Sequence, residues 1–199
     1  MEAFKRTYHQ TARAAATETL RQKIVLSFSQ LLIDRWIDEI TLDEVAASAG
    51  TSRQTILRLF RSKEGVLSAV IDLFHAKAAP RLELPEDVGD LAAIEAVVEH
   101  YEIVGDMTFR LLAQEERHPL LRPHLSRGRQ AHRSWVAARF KEALGGLDEE
   151  ERNRQITRLV VATDLYTWKL LRRDFGQTRS EATALIAGMV TNISKRSAS

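Results

Sequence analysis

Residues 41–64 read TLDEVAASAGTSRQTILRLFRSKE, a stretch with two short helical patterns, a glycine between them, and only positive charges from residue 51 to residue 63. Thr41 is placed to cap a helix whose apolar residues Leu42, Val45, Ala46 and Ala49 fall at the i, i+3, i+4, i+7 spacing of one helical face. Glu44, three residues after the cap, completes a capping box. Gly50 follows the last periodic residue, where the chain leaves the helix through a left-handed conformation that glycine enters without steric cost. Ser52 then caps a second helix with Ile56, Leu59 and Phe60 turned inward and Arg53, Gln54, Leu57, Arg58 and Arg61 turned outward. That outward face suits a recognition helix lying in a major groove.

The chemistry of those side chains agrees. Arg53 suits bidentate pairing with guanine and Gln54 with adenine, while the other cations neutralise phosphates and release counterions. A solvated basic face on an ordinary helix pair explains four cations alone, but it leaves the caps, the hinge glycine and the apolar spacing unexplained together.

The stretch from Thr41 to Leu67 resembles the DNA-binding module of the tetracycline-repressor (TetR) family of bacterial transcriptional regulators. The matching residues are Thr41, Val45, Ala46, Ala49, Gly50, Ser52, Thr55, Ile56, Phe60, Ser62, Lys63, Glu64 and Leu67. Leu57 and Leu59 stand where the family usually carries aromatic residues, so the phosphate contact made through the first of those hydroxyls is missing. The resemblance implies that Thr55 and Lys63 contact phosphates and that Arg53 reads bases. Helix N-terminal amides beside Lys63 also favour a phosphate. The expected DNA-binding residues are therefore Thr41, Ser52, Arg53, Gln54, Thr55, Leu57, Arg58 and Lys63.

At 199 residues and a net charge of +2, the chain is long enough for one sizeable core or two small ones. Residues 1–75 carry ten Lys or Arg against nine Asp or Glu, so a local patch rather than a basic domain is the electrostatic signal. There is no cysteine, which fits a reducing cytoplasm, and neither a signal sequence nor an apolar run of about 18–20 residues is present. A cytoplasmic protein is expected, with no membrane partner and no cofactor.

Helical periodicity extends along nearly the whole chain, which predicts an all-α fold of about nine helices. A helix-turn-helix domain at 1–79 precedes a helical effector-binding and dimerisation domain at 80–199, with Pro80 and Pro85 at the boundary. The first helix is expected from Thr11 or Thr17 to Trp36, and a fourth from Lys63 to Ala79. Further helices are expected at 90–104, 105–117, 124–144, 148–174 and from Ser180 to the Ser/Lys/Arg tail. Asp148 and Glu151 predict a capping box, and Gly176 a stop.

The final helix carries an apolar stripe of Leu185, Ile186, Met189, Val190 and Ile193, and the helix before it offers Leu165 and Trp168. Such a stripe covers a core or a partner. In the family the last two helices pair with their copies, and a twofold operator requires a dimer. The same resemblance places a small-molecule effector among the middle helices, where Tyr101, Met107, Phe109, His132, Trp135 and Trp168 are bulky enough to line a pocket. The resulting expectation is a homodimeric regulator, a repressor released from an inverted-repeat operator by an unknown small molecule.

Two other classes fit less of the sequence. A helical adaptor for proteins accounts for the stripes but not for the basic recognition helix. A metal-dependent helical-bundle enzyme finds one E-x-x-H spacing, Glu115 and His118, where a di-iron bundle needs two. No P-loop, dinucleotide fingerprint, G-x-S-x-G or H-E-x-x-H is present, and no enzyme is expected.

Overall fold

The computed structural model describes residues 2–78, 82–85 and 88–195. All regular secondary structure among them is helical, and no helix there is long and apolar enough to cross a membrane. The chain divides into two compact units, Met1–His75 and Ala76–Ser199. The expected boundary residue Pro80, the end of the fourth helix at Ala79 and the tail at 196–199 lie outside the described residues.

In the first unit, α1 spans Glu2–Asp34, α2 Leu42–Ala49, α3 Arg53–Phe60 and α4 Lys63–Ala78, the last running past the limit of the unit. The interior holds Ile24, Phe28 and Leu32 of α1, Val45 of α2, Ile56 of α3, and Val66 and Leu67 of α4, all buried. The helix expected to start at Thr11 or Thr17 starts earlier. The Thr17 hydroxyl donates to the Arg13 carbonyl at 2.9 Å, one turn back, so it is spent inside the helix and does not cap a new one. The helix also stops at Asp34 rather than Trp36, giving way to a short 3-10 turn at Ile37–Glu39 that buries Ile37.

In the second unit, α5 (Asp90–Leu112) packs against α6 (Leu121–Arg139), α8 (Leu165–Lys169) and α9 (Arg179–Lys195), while α7 (Glu149–Thr163) packs against α6 and α9. The two helices expected at 90–104 and 105–117 are one. Gly105 lies inside α5 because the Trp168 ring rests on it: a Cβ there would come 2.4 Å from the ring. Close approach therefore outweighs the roughly 1 kcal/mol by which glycine disfavours a helix.

Conversely, the single helix expected over 148–174 is broken. Asp164 is extended (φ −76°, ψ 156°) and its carboxylate accepts the Tyr166 N–H at 2.9 Å, the capping role that aspartate prefers over a helix interior. Beyond α8 the turn widens into a π-helical segment, Leu170–Asp174, that ends at left-handed Gly176. Asp148 caps α7 by accepting from Glu151 N at 2.9 Å, but Glu151 does not return the bond; its carboxylate is taken by Arg154 at 2.7 Å and Arg158 at 2.8 Å. The helix expected at 124–144 starts at Leu121, with Pro123 in the first turn where its missing N–H leaves nothing unpaired. It ends at Arg139, and Glu142–Leu144 form a 3-10 turn. The last helix starts one residue before Ser180, behind a capping box in which Thr178 and Glu181 exchange bonds at 2.7 and 3.2 Å.

Trp168 is the largest fully buried side chain of this unit, and its indole N–H donates to Glu102 at 2.9 Å. Gly105→Ala is expected to overpack this contact and destabilise the protein by about 1–3 kcal/mol. Denaturant unfolding followed by tryptophan fluorescence measures it, and a neutral substitution would mean that the ring moves aside freely.

Candidate nucleic-acid interface

The helix pair is held by residues whose side chains bond the backbone at its ends. The Thr41 hydroxyl accepts the Glu44 N–H at 3.2 Å and donates to the Glu44 carboxylate at 2.7 Å, while the Thr41 N–H donates to that carboxylate at 2.8 Å. At the other end of α2, Gly50 is left-handed (φ 66°, ψ 40°), with its N–H on Ala47 O and the Thr51 N–H on Ala46 O at 2.9 Å. This pair of bonds is a Schellman motif. Ser52, two residues later, accepts from Thr55 N at 3.2 Å, so α3 starts almost at once.

On α3, Ile56 and Phe60 are buried, and Arg53, Gln54, Leu57 and Arg58 share an exposed face. Leu59, expected inside, is half-buried. The helix itself contains no acid; the nearest acid to Arg53 with a bond is Asp43 of α2, at 3.5 Å across an exposed gap. Thr41, Ser52 and Thr55 have their hydroxyls engaged in the two caps. Lys63 opens α4 and is half-buried; desolvation pulls its ammonium below the usual value, against the attraction of Asp38, Glu64 and Glu44. The structure thus brings the outward residues of α3 onto one face, with Thr41 at the start of α2 and Lys63 just beyond the end of α3.

Arg21 of α1 and Arg35, one residue past its end, contribute bonds that the sequence does not advertise. Arg35 donates to Glu44 at 2.7 Å and also bonds the Glu39 carbonyl, and Arg21 donates to the Leu59 carbonyl at 2.7 Å. Arg21 is separated from Leu59 by 38 positions, and no spacing rule links a helix-surface arginine to a carbonyl so far along the chain. The Arg61 turn after α3 is also unannounced, since Arg61 takes a positive φ (70°) without being glycine.

Residues 29–70 match the family model for bacterial regulatory proteins of the tetR family. The N-terminal unit is a tetR-family helix-turn-helix domain. The chain as a whole is similar in fold to a TetR-family transcriptional regulator from Streptomyces coelicolor, with a TM-score of 0.69 and 18% identity over 90% of this chain and 88% of that one. A TetR-family structure from Rhodococcus sp. gives 0.67 at 15% identity, covering 88% of this chain and 99% of that chain. One from Mesorhizobium loti gives 0.59 at 14%, covering 89% and 96%. Curated protein sequences give no match. The tetR-family fold therefore extends over both units.

In the second unit of this tetR-type chain, four of the candidate pocket residues, Tyr101, His132, Trp135 and Trp168, pack on one another. Tyr101 meets His132 at 6.4 Å and Trp168 at 6.0 Å between ring centroids, and His132 stacks on Trp135 at 6.1 Å. Met107 is buried, and Phe109 stands apart from this cluster, edge-on to Tyr166. The Thr163 hydroxyl donates to Leu159 O at 2.9 Å and so accepts from His132 Nε2, 3.0 Å away, leaving Nδ1 facing Asp164 at 3.7 Å. Burial, with Asp164 adding to it, pushes the Tyr101 phenol above its usual range. Glu115 is held by both terminal nitrogens of Arg129 at 2.7 and 3.0 Å, which occupies the carboxylate of the E-x-x-H spacing.

The C-terminal stripe divides by burial. Ile186 and Val190 are each 1% exposed, and Leu165 and Trp168 are buried too, all within the protomer's own core. Leu185 at 47% and Met189 at 37% are exposed, with Val161, Tyr166, Leu170 and Phe175 exposed on the preceding segments; Ile193 is half-buried. Of the expected interface residues, Leu185 and Met189 are the two whose surfaces remain open.

Glu44 gives the helix pair a pH dependence. The Arg35 hydrogen bond, then those from the Thr41 side chain and backbone, hold its carboxyl down at about 2 instead of 4.5. A lowered folded-state value means stabilisation that is complete above about 4.5 and lost as pH falls toward 2. Glu44→Gln is expected to lower the thermal stability of the N-terminal unit at neutral pH, with the gap to wild type closing as pH approaches 2. Circular dichroism melts across that range test it, and a gap independent of pH would contradict the assignment.

Proposed function

We propose that the protein is a homodimeric DNA-binding transcriptional regulator of the bacterial cytoplasm, a repressor that leaves an inverted-repeat operator when a small molecule binds its second unit. The observation that carries this reading is the acid-free outer face of α3, where Arg53, Gln54, Leu57 and Arg58 stand exposed behind a capped two-helix reversal. Arg53 and Gln54 are suited to base edges, and Leu57 to a thymine methyl in place of the family's aromatic phosphate contact. Arg58 and Lys63, with Thr41, Ser52 and Thr55 at the caps, supply backbone contacts that fix register.

Dimerisation is assigned to the exposed apolar row of Leu185 and Met189 with Tyr166 and Leu170, which a water-facing surface would not retain without cost. An effector is assigned to the second unit, near the aromatic cluster, where Tyr101, His132 and Thr163 bring polar groups among apolar rings. Release follows from a population shift: recognition helices of a dimer must sit about 34–36 Å apart to enter successive major grooves, so an effector that prefers another spacing disengages both. Linkage requires operator DNA to weaken that effector by the same factor.

Selection of duplexes from a random-sequence pool tests the reading, with a twofold-symmetric motif expected and an unenriched pool overturning it. Arg53→Ala is expected to relax preference at one base step, by roughly 1–3 kcal/mol, while Lys63→Ala weakens all sequences alike and lowers the salt slope by about one. Competition titrations at several salt concentrations separate the two, and identical effects on every duplex would erase the distinction.

Replacing Leu185 and Met189 together by glutamate is expected to give a folded monomer, because both are exposed within the protomer and like charges would face each other across the axis. Sedimentation reads the outcome. A variant that stays dimeric moves the interface off α9.

A further inference from the structure

Arg21 leaves α1 about four helical turns before Arg35 and reaches the opposite end of the helix pair. Its Nη1 donates to the Leu59 carbonyl oxygen at 2.7 Å, and its guanidinium carbon lies 4.3 Å from the centroid of the Phe60 ring. Leu59 O is among the last four carbonyls of α3, which have no partner within the helix. A cation at that end also complements the negative pole of the helix dipole. Directly beyond, Arg61 is held at φ 70° and ψ −38°, a backbone region that an L-residue occupies only at a cost. A helix of about two turns is not stable alone in water, so its C-terminal end needs an anchor from outside. Gly50 and Ser52 fix where α3 begins; Arg21 bonds where it ends.

We propose that Arg21 is the positioning residue of the recognition helix: it sets the angle at which Arg53, Gln54 and Arg58 are presented to DNA, and it makes no phosphate contact of its own. This role rests on the DNA-binding reading above. One donor is committed to Leu59 O, the guanidinium plane stacks on Phe60, and Nε faces Glu18 at 3.9 Å. In this geometry Arg21 differs from Arg58 and Lys63, whose proposed contribution is to neutralise phosphate.

The difference is measurable. With a duplex recovered from a random pool as probe, Arg21→Ala is expected to weaken binding of that duplex about tenfold and of unrelated duplexes less, because base contacts depend most on the helix angle, leaving the slope of log K against log salt unchanged. Arg21→Lys is expected to recover part of the affinity, because an ammonium reaches the carbonyl but does not stack as a planar group. Amide exchange supplies a readout without DNA: the Phe60 and Arg61 N–H groups are expected to exchange faster in both variants while the amides of α5 and α9 keep their rates. Should Arg21→Ala fail to fold, Arg21→Lys carries the same comparison. A salt slope that falls by about one unit makes Arg21 a phosphate contact and overturns the proposal, as does unchanged affinity. A wild-type chain that selects no duplex overturns the DNA-binding reading and this role within it, whereas wild type and variants that bind the selected duplex equally tightly overturn the role alone.

Discussion

Two short helices in sequence leave backbone groups unpaired at the junction, the last carbonyls of one and the first amides of the next, and all must be satisfied within a few residues. The left-handed turn at Gly50 does this for the end of α2 by returning two amides to Ala46 and Ala47, and the Ser52 hydroxyl begins the same work for α3. Everything else in the first unit follows from that junction. The direction of α3, which side chains face outward, and the need for an arginine at the far end all depend on the chain reversing in three residues. A side chain at Gly50 would meet no neighbouring atom, so the requirement is one of backbone torsion and not of space.

The second unit is organised differently, around a close approach in place of a turn. Trp168 sits fully buried on Gly105, its N–H on Glu102, and Arg172 and Arg173 gather around the same carboxylate and Asp106. Hydrogen bonding to Arg172 draws the Glu102 carboxyl below its usual range, so the indole partner is an anion at neutral pH. The Arg173 guanidinium lies over the Trp168 ring, 4.5 Å from its centroid, adding a cation–π contact. The π-helical segment that carries these arginines gives α8 its widened last turn and leaves Leu170 and Phe175 exposed.

The first unit's helix pair is legible in the sequence because its constraints act through residue types: a left-handed residue calls for glycine, and a cap calls for a short oxygen-bearing side chain. Thr41, Gly50 and Ser52 each answer one such demand within a few positions. The second unit is less legible because its decisive contacts join distant positions. Gly105 reads as a helix stop unless Trp168 is known to rest on it, and Asp164 reads as an interior residue unless the chain is seen to bend there. The stripe on α9 illustrates a further limit. Periodicity identifies an apolar face, but the same face holds Ile186 against the protomer's core and Leu185 in the open, and spacing cannot divide them. Arg21 gives no local sign at all, since its partner is a main-chain carbonyl that every residue possesses.

The exposed pair of Arg53 with Asp43 has a kinetic side. On the DNA-binding reading, Arg53 waits at 3.5 Å from a carboxylate on the neighbouring helix, in a pair worth little in water. Exposed side chains change rotamer in picoseconds to nanoseconds, so the arginine leaves and rejoins Asp43 many times during a single encounter with a duplex. The carboxylate therefore does not slow association. It narrows the arginine's resting orientations to those near α2, and it screens part of the positive charge shown to arbitrary phosphates. On that reading a groove without a base partner leaves Arg53 to return to Asp43, a pair that costs as little to re-form as to break.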